Sequence, residues 1–207
     1  TASDGKYSIR EMAEAAKKKG YAYLGITDHS KSQTVAGGMS EDELAAQIDE
    51  IDALNEELTD FRILKSCEVD ILPGGRLDFS DNLLARLDYT VCSIHGSFNL
   101  SREKQTGRVL RAMDNPHFNI LGHATGRLIN KRSGYDIDLE KVMNAAKERG
   151  CYLELNAQPS RLDIDDVHCK MAREMGLMVP ISTDAHTIDG LEMMRFGIAQ
   201  AGRGWLE

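Results

Sequence analysis

The chain has 207 residues, with 25 Lys and Arg against 33 Asp and Glu, a formal charge of −8 and 42% hydrophobic residues. That length supports one core over residues 1–207, burying roughly 70% of the surface of the unfolded chain without staples. No apolar run approaches the roughly 20 residues of a membrane span, TASDGKYSIR lacks the apolar centre of a signal peptide, and the acidic balance argues against a general electrostatic grip on nucleic acid, which depends on Lys and Arg neutralising phosphates.

The first element announced is a helix. Ser8-Ile9-Arg10-Glu11 is a capping box, and Ile9, Met12, Ala13 and Ala16 follow at helical spacing until Gly20. An apolar run at 22–26 reads as a strand, and a second capping box, Ser40-Glu41-Asp42-Glu43, opens a helix carrying Leu44, Ile48, Ile51, Leu54 and Leu58. Apolar runs at 63–71, with polar interruptions, and at 89–94 read as strands. A helix then carries Arg102, Lys104, Arg108 and Arg111, either a solvated face or a strip turned toward DNA. A run at 118–121 precedes a helix with Leu139, Val142, Met143 and Ala146, stopped at Gly150. The run at 152–155 precedes a stripe of Ile164, Val167, Met171 and Met175 closed by Gly176, and 177–181 is the last strand. Alternating strands and helices imply an α/β fold with a parallel sheet, either a barrel or a doubly wound open sheet. In both, ligands collect at the strand C-termini. Cys67, Cys92, Cys151 and Cys169 form no C-x-x-C pair, so they read as buried thiols of a reducing, cytoplasmic setting.

The histidines test the strand-end rule. His29 (ITDHS), His95 (CSIHG), His123 (ILGHA) and His186 (STDAH) each fall just after an apolar run, Glu68 (SCEVDI) lies within one, and Asp28 and Asp184 stand beside histidines. His117 precedes its strand and His168 sits inside a helical stripe, so both read as structural imidazoles. Any one of the four strand-end histidines is better explained structurally. Together with Glu68 and Asp184, at the ends of different strands, they point to metal. Imidazole and carboxylate donors suit Zn²⁺, Mn²⁺ or Fe²⁺, and the donors outnumber what one ion accepts, so two to three ions are expected, with Glu68 bridging a pair. Such ions activate water directly, and no Ser or Cys nucleophile is needed.

The stretches TASDG, ITDHS, CEVDIL, SIHGS, GHATGR, LELNAQPSRLD, STDAH and GRGWL resemble the PHP (polymerase and histidinol phosphatase) domain, and most closely the copy at the C-terminal end of bacterial family X DNA polymerases. The resemblance implies a distorted TIM-like barrel of seven βα units, and as metal ligands Asp4, His29, Glu68, His95, His123, Asp184 and His186, with Glu68, Asp184 and His186 central to catalysis. It also implies a Mn²⁺-dependent 3′→5′ exonuclease acting on DNA 3′ ends, in a full-length protein with a polymerase domain and a role in DNA repair. The family's first strand ends in a His-x-His pair that would precede Thr1. Since losing a barrel strand would leave a sheet edge unpaired, a sequence recorded short is expected rather than a domain lacking two ligands. Arg127, Asn156 and Arg161 are candidate substrate contacts, the arginines as bidentate phosphate donors, with loop-pinning salt bridges as the alternative for the arginines. Two other functions stay open: a stand-alone phosphatase acting on a small molecule such as histidinol phosphate, and a catalytically dead structural module.

Overall fold

The computed structural model describes residues 1–207. Both capping boxes form. Ser8 Oγ accepts from Glu11 N and Ser8 N donates to Glu11 Oε2 at 2.8 Å, opening α1 (Ile9–Lys18). Ser40 and Glu43 repeat the arrangement at the start of α2 (Glu41–Glu57). Such a cap supplies partners for amide groups that the first helical turn leaves free, about 1 kcal/mol each. Downstream lie α3 (Asp81–Leu84), α4 (Arg102–Ala112), α5 (Leu139–Arg149), α6 (Asp166–Met175) and α7 (Met194–Arg203). Asp138 and Asp165 cap α5 and α6, which end at Gly150 and Gly176 with φ of 70° and 71°. That left-handed geometry favours glycine.

Every paired strand is parallel. Strand β1 (Tyr23–Ile26) pairs with β2 (Arg62–Lys65), and β3 (Glu68–Asp70) with β4 (Val91–Ser93). Strand β4 then pairs with β5 (Ile120–Leu121), β5 with β6 (Tyr152–Leu153), and β7 (Leu155–Asn156) with β8 (Ile181–Ser182). The run expected at 63–71 is therefore two strands. They still form one stave, because the Lys65 and Cys67 carbonyls both accept from the segment leading into β4, and Glu68 N donates to Asp28 O at 2.9 Å. Strands β6 and β7 are likewise one segment that changes partner at Glu154. Six staves thus follow one another in chain order with helices between, the order and direction of a TIM-like α/β barrel, with the hydrogen bonding divided among three sheets.

The larger core cluster packs α4, α5 and α6 on β3 to β7, and the smaller joins α1, β1 and β2. Helix α2 serves both, giving Leu44 and Ile48 to the first and Ile51 and Leu54 to the second. Burying each such side chain contributes about 1.5–3 kcal/mol. All four cysteines are free and buried. The stripe expected on α6 is only partly the buried face. Val167 is 65% exposed, and Cys169 and Ala172 face inward instead. The turn after α7 explains the small residues: a Cβ added at Gly204 would lie 2.2 Å from Cys169 Cβ, so the backbone there comes against α6 too closely for a larger side chain. No helix is long and apolar enough to cross a membrane.

Candidate metal centre

Parallel strands deliver their C-termini to one end of the sheet, and the chemistry collects there. His95, His123 and Asp184 each stand two residues beyond the last residue of β4, β5 and β8, His29 follows β1, and Glu68 opens β3 in register with His29. Glu68 is the hub. Its Oε1 lies 2.9 Å from His123 Nε2 and 3.2 Å from His95 Nε2, and its Oε2 lies 3.5 Å from His29 Nδ1. The three rings pack edge to face, with His95 centred 5.1 Å from His29 and 5.2 Å from His123. A second group stands at the rim: Asp4 Oδ2 is 3.1 Å from His186 Nε2 and 3.7 Å from His29 Nε2, while His186 Nδ1 is 3.8 Å from Asp184 Oδ1. All seven residues expected to bind metal are therefore brought together. His168 is bound instead to Asp165 Oδ1 at 2.6 Å, and His117 meets its surroundings through its backbone.

The site is braced by two carboxylates that the sequence reading passed over. Asp70 Oδ1 contacts His95 Nδ1, and its Oδ2 accepts from Ser32 Oγ at 2.6 Å and Gln33 Nε2 at 3.0 Å. The contact turns Nε2 of His95 toward Glu68, the arrangement by which outer carboxylates orient ligating imidazoles. Glu154, almost wholly buried, accepts from the backbone N–H of His123 at 2.6 Å and from Ser182 Oγ. Burial pushes its carboxyl up to about 7. His123 and Asp184 are held at φ of 27° and 49°, a left-handed backbone that costs a residue with a Cβ on the order of 1 kcal/mol or more. An acid inside an apolar run, as in V-D-I and L-E-L, was the available signal for both braces, since a buried carboxylate requires a partner.

Among the substrate candidates, Asn156 Nδ2 donates to Asp184 Oδ2 at 3.1 Å and so orients that carboxylate. Arg161 Nε lies 3.6 Å from Asp184 Oδ2, and its Nη1 is buried without a partner. Arg127 faces otherwise. It donates to the carbonyls of Arg161, at 2.8 Å, and Leu162, and lies 3.4 Å from Asp165, the geometry of a loop pin. The strip on α4 is also corrected. Arg108 is 3% exposed and donates to the carbonyls of Ile71, Leu72 and Gly96, tying the loop after β3 to the loop after β4, so it cannot face DNA. Arg111 bonds Gly74 O, while Arg102 and Lys104 remain exposed.

The donor set fits divalent ions. Asp4, His29 and His186 form one group, and His29, Glu68 and His95 another, with the ligand atoms of each group within 4.8 Å of one another. His29 is common to both. Nδ1 of His29 is buried without a hydrogen bond although it faces Glu68, an orphaned donor atom of the kind a bound ion would satisfy. Burial works against charge on both Glu68 and His95. Even so, the hydrogen bonds from His123 and His95 hold Glu68 well below the usual carboxylate range, and Asp70 and Glu68 pull His95 up to about 9. A cavity of about 440 Å³ adjoins the cluster, lined by β1, Asp4, His29, Glu68, His123, β8, Asp184 and His186.

Known proteins supply the context. The family described as PHP domain matches residues 1–158. Over all 207 residues the chain is 48% identical to the DNA polymerase/3'-5' exonuclease PolX of Bacillus subtilis, of which it spans 36%. It is 32% identical over 189 residues, 86% of this chain and 72% of the other, to a probable phosphatase of Thermoanaerobacter sp.. Among solved structures, a histidinol phosphate phosphatase of Lactococcus lactis, complexed with zinc, L-histidinol and phosphate, superposes with a TM-score of 0.66 at 13% identity, covering 99% of this chain and 90% of that one, a likeness of fold.

Proposed function

The chain belongs to the PHP domain family of metal-dependent phosphoesterases, and from that premise we propose that it hydrolyses phosphodiester bonds at DNA 3′ ends as an exonuclease module, in a full-length protein that also carries a polymerase domain. The observation that carries this reading is the contiguous cluster of Asp4, His29, Glu68, His95, His123, Asp184 and His186, in a chain 48% identical along its whole length to a polymerase with 3′–5′ exonuclease function.

Those seven residues would hold two to three divalent ions, Mn²⁺, Zn²⁺ or Fe²⁺, which when bound supply a Lewis acid for the phosphoryl oxygens and a water of lowered pKa. The protein does the positioning. Glu68 shares its two oxygens among three imidazoles, so its carboxylate fixes the spacing of the inner ligands. Asp70 and Glu154 hold His95 and His123 in place, and Asn156 holds Asp184. Arg161 stands beside Asp184 through Nε, and its buried Nη1, without a partner, would donate to a non-bridging phosphate oxygen once substrate displaces what covers it. Asp184 and His186, at the rim, complete the outer ligand group.

A second reading, a phosphatase acting on a small phosphomonoester, draws support from the acidic charge of −8 and from the 32% identical probable phosphatase. A dead structural module is the least suited, since it gives no reason for the braces to persist. The deciding experiment is metal analysis of the purified protein together with Mn²⁺-dependent release of nucleotides from single-stranded DNA, run beside hydrolysis of histidinol phosphate. Release of nucleotides that is lost in His95→Ala and Asp184→Ala supports the exonuclease. Phosphate from the monoester with no nucleotide release would replace it with the phosphatase.

A further inference from the structure

The loops after β4 and β5 carry more than ligands. Phe98 lies three residues beyond His95, past Ser97 at φ 59°, and its ring is stacked parallel on Tyr135, 6.0 Å between centres and 11° between planes. Over the Phe98 ring stands the Arg132 guanidinium, 4.3 Å from the centroid. Neither partner is loose. Tyr135 is 8% exposed, and the Arg132 backbone closes a tight turn with Leu128 by hydrogen bonds of 2.8 and 2.9 Å. The Arg132 side chain donates through Nε and Nη2 to Gly126 O at 3.2 and 2.7 Å, and Gly126 N in turn donates to His123 O at 2.7 Å. The stack is therefore tied to His123 by hydrogen bonds through Gly126, and to His95 by the two residues of chain that separate it from Phe98.

The segment that carries Arg132 is locally basic. In a chain of net −8, the stretch from Thr125 to Tyr135 contains three basic residues and no acid. Arg132 and Lys131 are exposed and make no ion pair, so their charge is not neutralised within the protein. A planar, anchored cation with an aromatic beneath it stacks with a nucleobase whatever its sequence, and an adjacent free ammonium suits a backbone phosphate.

Resting on the exonuclease reading above, we propose that the Tyr135–Phe98–Arg132 stack is a nucleobase platform, which holds one base of a single-stranded DNA end beside the metal centre while Lys131 meets its phosphate. Engagement is through the π-face, so the site takes any base and rejects none by hydrogen bonding. This assigns sequence-tolerant grip to a local patch and reconciles a DNA substrate with an acidic protein.

The test compares a fluorescent oligodeoxythymidine with an abasic sugar-phosphate oligomer of the same length and charge, binding measured by fluorescence anisotropy in EDTA so that no hydrolysis intervenes. The wild-type protein is expected to bind the oligomer with bases about tenfold more tightly, the order expected for one stacked base. Arg132→Gln, at an exposed position, should remove most of that preference, and Phe98→Leu, checked for folding by circular dichroism, should do the same. Lys131→Gln should weaken both oligomers alike. Equal binding of the two oligomers by wild type, or an undiminished preference in Arg132→Gln, would overturn the platform. Nucleotide release by the wild type with Mn²⁺ is scored separately, so a failure of the exonuclease reading is seen on its own.

Discussion

The inner and outer halves of the candidate metal centre are built differently. Glu68 and His123 lie under the surface, 9% and 3% exposed, and hold each other, with the Glu154 carboxylate accepting from the His123 backbone N–H. Asp4 and His186 are exposed, stand on loops, and meet chiefly each other. A side chain locked by buried neighbours is preorganised, whereas one on an exposed loop orders at some entropic cost when its ligand arrives. The inner half is thus expected to bind an ion tightly and to tolerate change badly. The outer half is the adjustable one.

The largest expected effect breaks the inner half. Glu68→Gln removes the shared anion and should lower nucleotide release by about a thousandfold or more, since the ions it would hold would supply both the Lewis acid and the activated water. Elemental analysis should find the ions of the inner group gone, and the thermal stabilisation that Mn²⁺ gives by binding the folded state should disappear with them. Retention of the full metal content in this variant would refute the role of Glu68 as hub. Next in size, His186→Ala should remove one ion from the outer group and leave the inner ion bound. Activity falls, but the Mn²⁺-dependent rise in Tm survives. If both halves emptied together, the distinction between them would be wrong.

Asp70→Asn sharpens the comparison at a smaller scale. Its amide keeps the size of the carboxylate but loses the charge that orients His95, so metal affinity should fall about 10- to 100-fold, as for other outer-shell carboxylates. Calorimetric titration of the metal-free protein measures this directly. The same replacement should leave the unfolding midpoint in EDTA within a few degrees of wild type. A collapse in stability with unchanged affinity would make Asp70 a structural residue only.

How far this division could be read in advance depended on the kind of signal. The convergence of His29, His95, His123 and His186 was legible because a side chain after a strand is a matter of position, and position survives errors of several residues in strand ends. The capping boxes at Ser8 and Ser40 were legible because they are local. Asp70 and Glu154 were only half legible: an acid inside an apolar run signals a buried carboxylate, but its partner, 25 or 31 residues away in the chain, is announced by no local pattern. Arg108 misled for a related reason. Helix α4 buries Gln105, Thr106 and Arg108 beside Val109, so its inner face is largely polar and has the look of a solvated one. The change of partner at Glu154 was invisible too, since an apolar run gives no sign of which neighbour each half will meet.

The smallest effect lies outside both halves and serves as their control. Asp165 caps α6 and accepts from His168, whose hydrogen bond, opposed by partial burial, brings the Asp165 carboxyl down to about 2. Because its folded value lies below the unfolded value near 4, the capping interaction contributes fully above about pH 4 and is lost as pH falls toward 2. Asp165→Ala should cost about 1 kcal/mol at neutral pH, typical of a lost N-cap, and the gap between variant and wild type should close in acid. Denaturant unfolding across that pH range reads both. Metal affinity should not move, because Asp165 touches neither half of the centre. An equal gap at pH 7 and pH 2 would mean that packing, and not the ionised cap, sets its contribution.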